Sequence, residues 1–295
     1  MYKKIEINDN KVSRMIHNRD EKSRKGDNGI VLIVGGNRLY HGAPILASMS
    51  AYRTGVDLVY TAVPKTNVIV TRTYSPNFIV IPLVDEKLTI GSSNRLIANL
   101  PKKINSAAIG MGMSITKKDA LINLVKKLIE KDVKIVLDAS SLIPEILPVI
   151  TETPTIITPH GGEYVRIFDL KLKSDLDQQV KEVHKLAEKF KITIILKGWQ
   201  NIISNGEQVA VIKRTTPSMS VGGTGDILAG LVAGFMTKMK PFDASCLGIF
   251  LNGKAAELTE KKLGSNILAT DILNMFPEIM KKYYKKTNKK IVNTS

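Results

Sequence analysis

Short apolar runs alternate along most of the chain with longer segments in which apolar residues recur at helical spacing. The runs are rich in β-branched residues and do not alternate between apolar and polar positions. Strands that are buried on both faces, as in a parallel sheet, have this pattern. The predicted strands are residues 30–34, 58–62, 78–81, 107–109, 134–137, 155–157 and 193–196.

The segments between these runs have the periodicity of amphipathic helices, as at residues 43–54, 117–130 and 174–190. Strands that alternate with helices predict an α/β fold, in which helices cover a mostly parallel sheet. Near residue 200 the pattern changes, because Asn205-Gly206 separates two short apolar runs and therefore predicts an antiparallel hairpin. Helical periodicity then dominates from residue 225 to about residue 284.

Length and composition are typical of one domain with a sizeable core. The chain has 295 residues, of which 43% are hydrophobic, and it has no internal repeat or low-complexity linker. We therefore expect a single domain over residues 1–295. Residues 1–28 are expected to form a polar segment on its surface, and residues 285–295 a basic, disordered tail.

The N-terminus is charged, and no apolar stretch approaches the roughly 20 residues that span a bilayer. We therefore expect a cytoplasmic protein without a membrane partner. The single cysteine, Cys246, excludes an intrachain disulfide and is expected to be a small buried residue on a helix. The sequence offers no dedicated cluster of metal ligands.

The formal net charge of +16 is a feature that many nucleic-acid-binding proteins share. Six lysines lie close together near the C-terminus, and the others are scattered without interleaved aromatic residues. We therefore do not expect nucleic acid as a partner. A positive field also attracts polyphosphate ligands, so the charge agrees with a nucleotide-dependent enzyme.

Glycines and polar residues follow several predicted strands, at the sheet edge where α/β proteins bind their ligands. The first strand is followed by Gly35-Gly36 and then by residues 42–44, Gly-Ala-Pro, at the start of a helix. Asp138 follows the fifth strand, and residues 158–163, Thr-Pro-His-Gly-Gly-Glu, follow the sixth. These turns predict a ligand site, although a plain tight turn and a structural histidine at His160 remain alternatives.

The most specific segment is Gly222-Gly223-Thr224-Gly225-Asp226, which opens an apolar helix. Glycines allow consecutive backbone N–H groups to converge, and the helix dipole adds positive potential at the same point. The segment therefore predicts an anion-binding turn, residues 222–225. A carboxylate at Asp226 would lie beside the bound phosphate, where it can accept a proton from an attacking hydroxyl group.

This segment resembles the signature of the ribokinase-like superfamily. Further stretches resemble the NAD(P)H-hydrate dehydratase family, and together they extend from about residue 25 to residue 253: residues 25–29 (Lys-Gly-Asp-Asn-Gly), 42–47 (Gly-Ala-Pro-Ile-Leu-Ala), 158–163 and 196–198 (Leu-Lys-Gly). The resemblance implies a ribokinase-like three-layer αβα fold. It also implies nucleotide-dependent dehydration of NADHX or NADPHX, the hydrated forms of NADH and NADPH, with ADP or ATP as co-substrate and Mg²⁺.

The resemblance also implies roles for individual residues. Asp226 would be the catalytic base, and Gly223, Thr224 and Gly225 would stabilise the transferring phosphoryl group. Ala43, Gly112, His160 and Asp226 would contact the damaged coenzyme. The nucleotide would contact Gly225 and residues 197–201, namely Lys197, Gly198, Trp199, Gln200 and Asn201.

Three positions depart from the family pattern. Ser140 replaces a usual aspartate, Asn252 a usual histidine, and Gly161 a usual proline. The chain also lacks the epimerase domain that is often fused to such enzymes, so an epimerase partner would be a separate protein. Relatives commonly form homo-oligomers, and a homotetramer is expected.

Two other classes of function remain open on the sequence. The same anion-binding turn serves small-molecule kinases that phosphorylate hydroxyethylthiazole, a pyrimidine alcohol or a sugar. A nucleotide-binding regulatory protein or a nucleic-acid-binding protein is the third hypothesis. Asp226 disfavours a purely binding role, because binding requires the glycines and not the base.

Overall fold

The computed structural model describes residues 2–16 and 18–284. Its centre is a ten-stranded sheet with the strand order β1-β10-β9-β8-β7-β6-β5-β2-β3-β4. In chain order the strands are β1 (Lys3–Lys4), β2 (Ile30–Val34), β3 (Leu58–Pro64), β4 (Ile79–Leu83), β5 (Ser106–Ile109), β6 (Lys134–Leu137), β7 (Thr155–Ile157), β8 (Thr193–Leu196), β9 (Gln200–Ser204) and β10 (Gln208–Lys213).

Seven of these strands, from β8 across to β4, pair only in parallel with one another. Strand β9 is antiparallel to both β8 and β10, and it joins β10 through the turn at Asn205-Gly206. The predicted hairpin is therefore confirmed. Gly206 has a φ of 86°, which is a backbone conformation that favours glycine.

Helices cover both faces of the sheet, as predicted for an α/β fold. The helices are α1 (Asp9–Met15), α2 (Gly42–Arg53), α3 (Val68–Tyr74), α4 (Ile90–Asn99), α5 (Lys118–Ile129), α6 (Leu147–Ile150), α7 (Gly161–Phe168), α8 (Leu176–Phe190), α9 (Thr224–Met236), α10 (Pro241–Leu263) and α11 (Ala269–Tyr283). Among the described residues, no helix is both long and apolar enough to cross a membrane.

Each face of the sheet has its own hydrophobic core. Strand β2 contributes to both, with Val31 and Ile33 in the core on one face and Leu32 and Val34 in the core on the other. The first core contains residues of α2, α9, α10 and α11, and the second contains residues of α4, α5, α7 and α8. The three-layer αβα architecture follows from this double burial.

Part of the N-terminal segment is built into the fold. Strand β1 pairs in parallel with β10 at one edge of the sheet, and Val12 and Ile16 are buried. The expectation of a polar surface segment over residues 1–28 is therefore wrong for β1 and α1, which pack against the rest of the domain. The predicted tail at residues 285–295 lies outside the described residues. Cys246 is buried on α10, as expected.

Candidate active site

Three neighbouring parallel strands place polar side chains at one edge of the sheet. Asp138 directly follows β6, Thr158 directly follows β7, and Lys197 directly follows β8. The Asp138 carboxylate accepts hydrogen bonds from the Thr158 hydroxyl at 2.6 Å and from Lys197 Nζ at 2.7 Å. Because Asp138 is only 3% exposed, water screens its ion pair with Lys197 weakly.

Lys197 lies among three acidic side chains. Besides Asp138, Glu163 places its Oε2 atom 3.6 Å from Nζ, and Asp226 lies close enough to act electrostatically. Burial disfavours the positive charge, but the carboxylates of Asp138, Glu163 and Asp226 outweigh it and raise the pKa of Lys197. Lys197 is therefore a firmly held ammonium group.

His160 caps the N-terminus of α7. Its Nδ1 atom accepts a hydrogen bond from the backbone N–H of Gly162 at 3.0 Å, while the His160 backbone N–H donates to Glu163 Oε2 at 2.9 Å. With Nδ1 acting as an acceptor, a neutral His160 carries its proton on Nε2. The Nε2 atom lies 3.5 Å from Glu163 Oε1, and the exposed ring places this N–H group at the mouth of the site.

The anion-binding turn precedes α9 and contains one unusual backbone conformation. Gly223, the N-cap residue, has a φ of 98°, and a side chain there would also collide with Leu46 Cδ1, 2.7 Å from the added Cβ. The Thr224 hydroxyl bonds to the backbone carbonyls of Met219 and Val221 and so fixes the turn. The N–H groups of the first turn of α9 have no acceptor within the helix and are available to an anion.

Gly225 has a different role from Gly223. It is the second residue of α9, and its φ lies outside the left-handed region. A Cβ added at Gly225 would meet only Lys197 Nζ, at 3.7 Å. Gly225 therefore keeps open the space between the helix N-terminus and the ammonium group, where both would contact a phosphate.

Asp226 lies in the first turn of α9. Burial, followed by the negative charge of Asp138, raises the pKa of Asp226 to about 7, against the opposing effect of Lys197. A carboxylate with this pKa is well suited to accept a proton near neutral pH.

A cleft of about 230 Å³ opens beside these groups, between α9, α10 and the β9–β10 hairpin. One wall is cationic and polar, and the other is largely apolar. Its lining residues are His160, Lys197, Gly198, Asn201, Lys213, Arg214, Met219, Thr224, Gly225, Leu228, Ile249, Asn252 and Gly253.

Two of the residues predicted to contact the coenzyme lie together on the other side of α9. A Cβ added to Gly112, whose φ is 64°, would be 2.9 Å from Ala43 Cβ and 2.7 Å from the Tyr40 carbonyl oxygen. Ser140 supports this region, because its hydroxyl bonds to the carbonyls of Gly110 and Met113 at 2.9 and 2.7 Å. Although Ser140 departs from the family pattern, its two hydrogen bonds hold the loop around Gly112 in place.

Not every predicted nucleotide residue lines the cleft. Trp199 and Gln200 face a neighbouring depression that also includes Leu172, and Trp199 is 52% exposed. Lys213 Nζ lies 5.4 Å from the centre of the Trp199 ring, which is a cation–π contact. Lys197, Gly198 and Asn201, in contrast, line the cleft itself.

Sequence reasoning did not find the pairing of Asp138 with Lys197, which lie 59 positions apart. It also did not identify Lys213, Arg214 and Met219 as lining residues. The rule that polar residues after adjacent parallel strands meet at one edge would have predicted the pair. No sequence signal predicts that Met219 lines the cleft, because its position depends on how the turn before α9 folds.

Comparison with solved structures places this fold in the ribokinase-like class. A ribokinase-like superfamily protein from Enterococcus faecalis has a TM-score of 0.81 at 23% identity, with 96% of each chain covered. The ADP/ATP-dependent NAD(P)H-hydrate dehydratase from Bacillus subtilis, co-crystallised with ATP/Mg²⁺, also has a TM-score of 0.81, at 24% identity, covering 94% of this chain and 97% of that one.

Sequence comparison identifies the family within this class. The profile of NAD(P)H-hydrate dehydratase matches residues 31–278. The ADP-dependent (S)-NAD(P)H-hydrate dehydratase of Nitrosopumilus maritimus is 49% identical over 275 residues, which are 93% of this chain and 96% of that protein. The chain belongs to the NAD(P)H-hydrate dehydratase family.

Proposed function

We propose that the protein is a carbon–oxygen lyase that uses ADP or ATP to convert NADHX and NADPHX back to NADH and NADPH. One observation carries the proposal beyond family membership: Asp226, with a pKa of about 7, lies in the first turn of the helix that follows the anion-binding turn. A base and a phosphate site in this arrangement fit phosphoryl transfer to a hydroxyl group.

The reaction has two steps. Asp226 accepts the proton of the hydroxyl group on the hydrated nicotinamide ring while the hydroxyl oxygen attacks the terminal phosphoryl group of the nucleotide. The bond between this phosphoryl group and the rest of the nucleotide breaks, so that AMP is released from ADP, or ADP from ATP. The carbon–oxygen bond of the phosphorylated coenzyme then breaks, inorganic phosphate leaves, the neighbouring ring carbon loses a proton to solvent, and the ring double bond re-forms. Backbone N–H groups of Gly223, Thr224 and Gly225, together with the ammonium group of Lys197, stabilise the charge on the transferring group.

The nucleotide occupies the cleft, with its phosphates at the anion-binding turn and beside Lys197, Gly198 and Asn201. Lys213 and Arg214 add positive charge to the same wall. Within residues 2–16 and 18–284, no group of three or more His, Cys, Asp or Glu side chains is arranged to hold a metal ion. Mg²⁺ would be held by phosphate oxygens of the nucleotide and by water, and it would neutralise phosphate charge.

The coenzyme lies on the opposite side of the anion-binding turn, against Ala43 and Gly112, with its nicotinamide hydroxyl directed at Asp226. His160 lies in the lining of the nucleotide cleft, so its Nε2–H group would donate a hydrogen bond to the part of the coenzyme that approaches the nucleotide. This placement is supported by the close approach of Gly112 to Ala43, which brings the two residues together.

The proposal includes a homotetramer, formed by four copies of this chain, that acts in the cytoplasm alongside an epimerase. Edge strand β4, helix α3 and the loop before α2 carry a group of exposed apolar side chains that a second copy would cover: Leu39, Tyr40, Ile69, Val70, Tyr74, Ile79 and Val84. Sedimentation of the wild type and of Ile69→Asp tests this surface, since the variant is expected to dissociate.

The decisive experiment incubates the protein with NADHX or NADPHX and with ADP or ATP. Recovery of the reduced-coenzyme absorbance, with release of one phosphate per coenzyme, is the expected result. Accumulation of a stable phosphorylated product would instead identify a kinase. The proposal fails if the protein ignores both hydrates but phosphorylates a thiazole, pyrimidine or sugar alcohol.

A further inference from the structure

The segment between β10 and the anion-binding turn borders the cleft beside the position of the phosphates. It consists of residues 214–221, which we call the strap, and Pro217–Ser220 form a single 3-10 turn within it. Two residues of the strap, Arg214 and Met219, line the cleft. Because the strap leads directly into the anion-binding turn, its position determines where that turn lies.

The strap is tied both to the first residue of α9 and to α10. The Thr224 hydroxyl bonds to the carbonyl oxygens of Met219 and Val221 at 3.1 and 3.2 Å. Met219 adjoins Ser218, whose hydroxyl donates a hydrogen bond to Glu260 Oε1 on α10 at 2.6 Å. A continuous path of covalent bonds and hydrogen bonds therefore joins Glu260 to the N-terminus of α9.

Glu260 has an unfavourable position for a carboxylate. It lies in the last turn of α10, where the negative end of the helix dipole favours cations. Hydrogen bonds from the side chains of Ser218 and Thr216 nevertheless lower the pKa of Glu260, and a hydrogen bond from Ser265 contributes. The hydroxyl groups of the strap therefore stabilise this carboxylate, whereas the helix that carries it does not.

We infer that Glu260 is a positioning residue for phosphoryl transfer: by holding Ser218, it fixes the strap against α10 and keeps Arg214 and the anion-binding turn around the nucleotide phosphates. Arg214 depends on the same fold of the strap, since its Nε and Nη2 atoms donate to the carbonyl oxygens of Thr216 and Pro217 at 3.0 and 2.7 Å. Glu260 is not among the residues that line the cleft, so it acts through the strap. The inference rests on the proposed use of a nucleotide.

The chain offers a matched control in Glu257, which lies about one turn earlier on the same helix. Its carboxylate lies 3.4 Å from Lys254 Nζ, in an exposed pair within α10. Glu257→Ala therefore reports the loss of a carboxylate from α10, whereas Glu260→Ala also removes the acceptor that holds the strap. Glu260→Gln is the conservative variant, because its amide oxygen can still accept the hydrogen bond from Ser218.

The test measures ADP affinity by calorimetry without the coenzyme, and turnover of NADHX or NADPHX, in Glu260→Ala, Ser218→Ala and the double variant. Each single variant should bind ADP at least about fivefold more weakly and turn over at least about tenfold more slowly, because a small displacement of positioning groups is costly. The double variant should lose no more than either single variant, since both changes break the same contact. Glu260→Gln and Glu257→Ala should stay within about twofold of the wild type.

Binding is compared well below the melting temperature of each variant, so a loss of stability alone would leave the ADP affinity unchanged. Unchanged ADP affinity and turnover in Glu260→Ala would show that Glu260 only stabilises the fold, and the inference would be wrong. It would also be wrong if the losses of the two single variants add in the double variant, if Glu260→Gln is as impaired as Glu260→Ala, or if Glu257→Ala shows the same losses. If the wild type itself binds no nucleotide, the proposed function and the inference fail together.

Discussion

At the scale of single residues, the site depends on which side chains are charged and which atoms are already paired. Asp138 and Glu163 are engaged with Lys197, and His160 Nδ1 is engaged with the backbone of α7. Asp226 is left as the carboxylate beside the phosphate position. The three carboxylates therefore have different roles because their neighbours differ. Those of Asp138 and Glu163 interact with Lys197, and that of Asp226 is available to act as a base.

Asp226→Asn should lower turnover by at least about 10²-fold, because an amide preserves the shape of the side chain but cannot accept a proton. Calorimetry should give an ADP affinity close to that of the wild type. In the wild type, the rate should fall as the pH drops below about 7, where Asp226 becomes protonated. Near-normal turnover of the variant would show that another group is the base.

His160→Ala should lower kcat/KM for NADHX or NADPHX, because it removes the Nε2–H donor. The expected loss corresponds to an increase of about 1–3 kcal/mol in the activation free energy. The same change removes the cap of α7, so the melting temperature is measured in parallel. His160→Asn retains a capping oxygen and serves as the matched variant. If His160→Asn regains both stability and activity, His160 acts as a cap and does not contact the coenzyme.

At the scale of elements, α9 links the hydrophobic core to the chemistry. Residues Ile227–Met236 are all buried, and Gly230 allows close contact with α2, because a Cβ there would be 2.0 Å from the Ala47 carbonyl oxygen. The helix is therefore held on every side, and its N-terminus is a rigid anion site.

Gly225→Val should weaken ADP and ATP binding at least about tenfold, because the side chain would fill the space between α9 and Lys197. The fold should survive, since Gly225 has no need of a left-handed conformation. Gly91→Val, on the exposed surface of α4, is the control for a valine added to a helix. Unaltered nucleotide affinity in Gly225→Val would mean that the phosphates bind elsewhere.

Sequence patterns predicted the elements that are buried most uniformly. All seven predicted parallel strands are present, with ends shifted by at most two residues, because continuous apolar runs have few alternatives in an α/β chain. Strand β1 and helix α1 were not predicted, because residues 1–28 were expected to be only a polar surface segment. The two residues of β1 are both lysines, and they form a strand only because the edge of β10 is available to them.

The candidate site was predictable in part. The anion-binding turn and Asp226 are contiguous, so the sequence alone indicates them. The ion pair of Asp138 with Lys197, the tautomer of His160 and the hydrogen bond from Asn252 to the Thr224 carbonyl depend on contacts between distant segments. The sequence marked Asn252 only as a departure from the family pattern.

At the scale of the whole molecule, the raised pKa of Asp226 makes folding stability depend on pH. The folded protein holds this proton up to about pH 7, whereas the group ordinarily loses it near 3.8. Ionisation of Asp226 therefore favours the unfolded chain. The free energy of unfolding decreases as the pH rises from about 4 to about 7, and above that pH this contribution is constant.

Asp226→Asn does not titrate, so it should be more stable than the wild type by about 1–3 kcal/mol at pH 8 and by little at pH 4. Denaturant unfolding at several pH values measures the difference. Glu86→Gln, in an exposed turn, is the control for the loss of one negative charge. A stability difference that does not change with pH would contradict the raised pKa.

The molecule carries a net charge of +16, yet the carboxylates of Asp138, Glu163 and Asp226 lie around Lys197 at one edge of the sheet. A phosphate that arrives here adds negative charge beside Asp226 and should make that carboxylate bind a proton more tightly. ADP binding near pH 7.5 is therefore expected to take up a fraction of a proton from solution. Calorimetry in buffers of different ionisation enthalpy would reveal this uptake, and Asp226→Asn should abolish it. An enthalpy that is the same in every buffer would mean that the protein binds its nucleotide without exchanging protons with its surroundings.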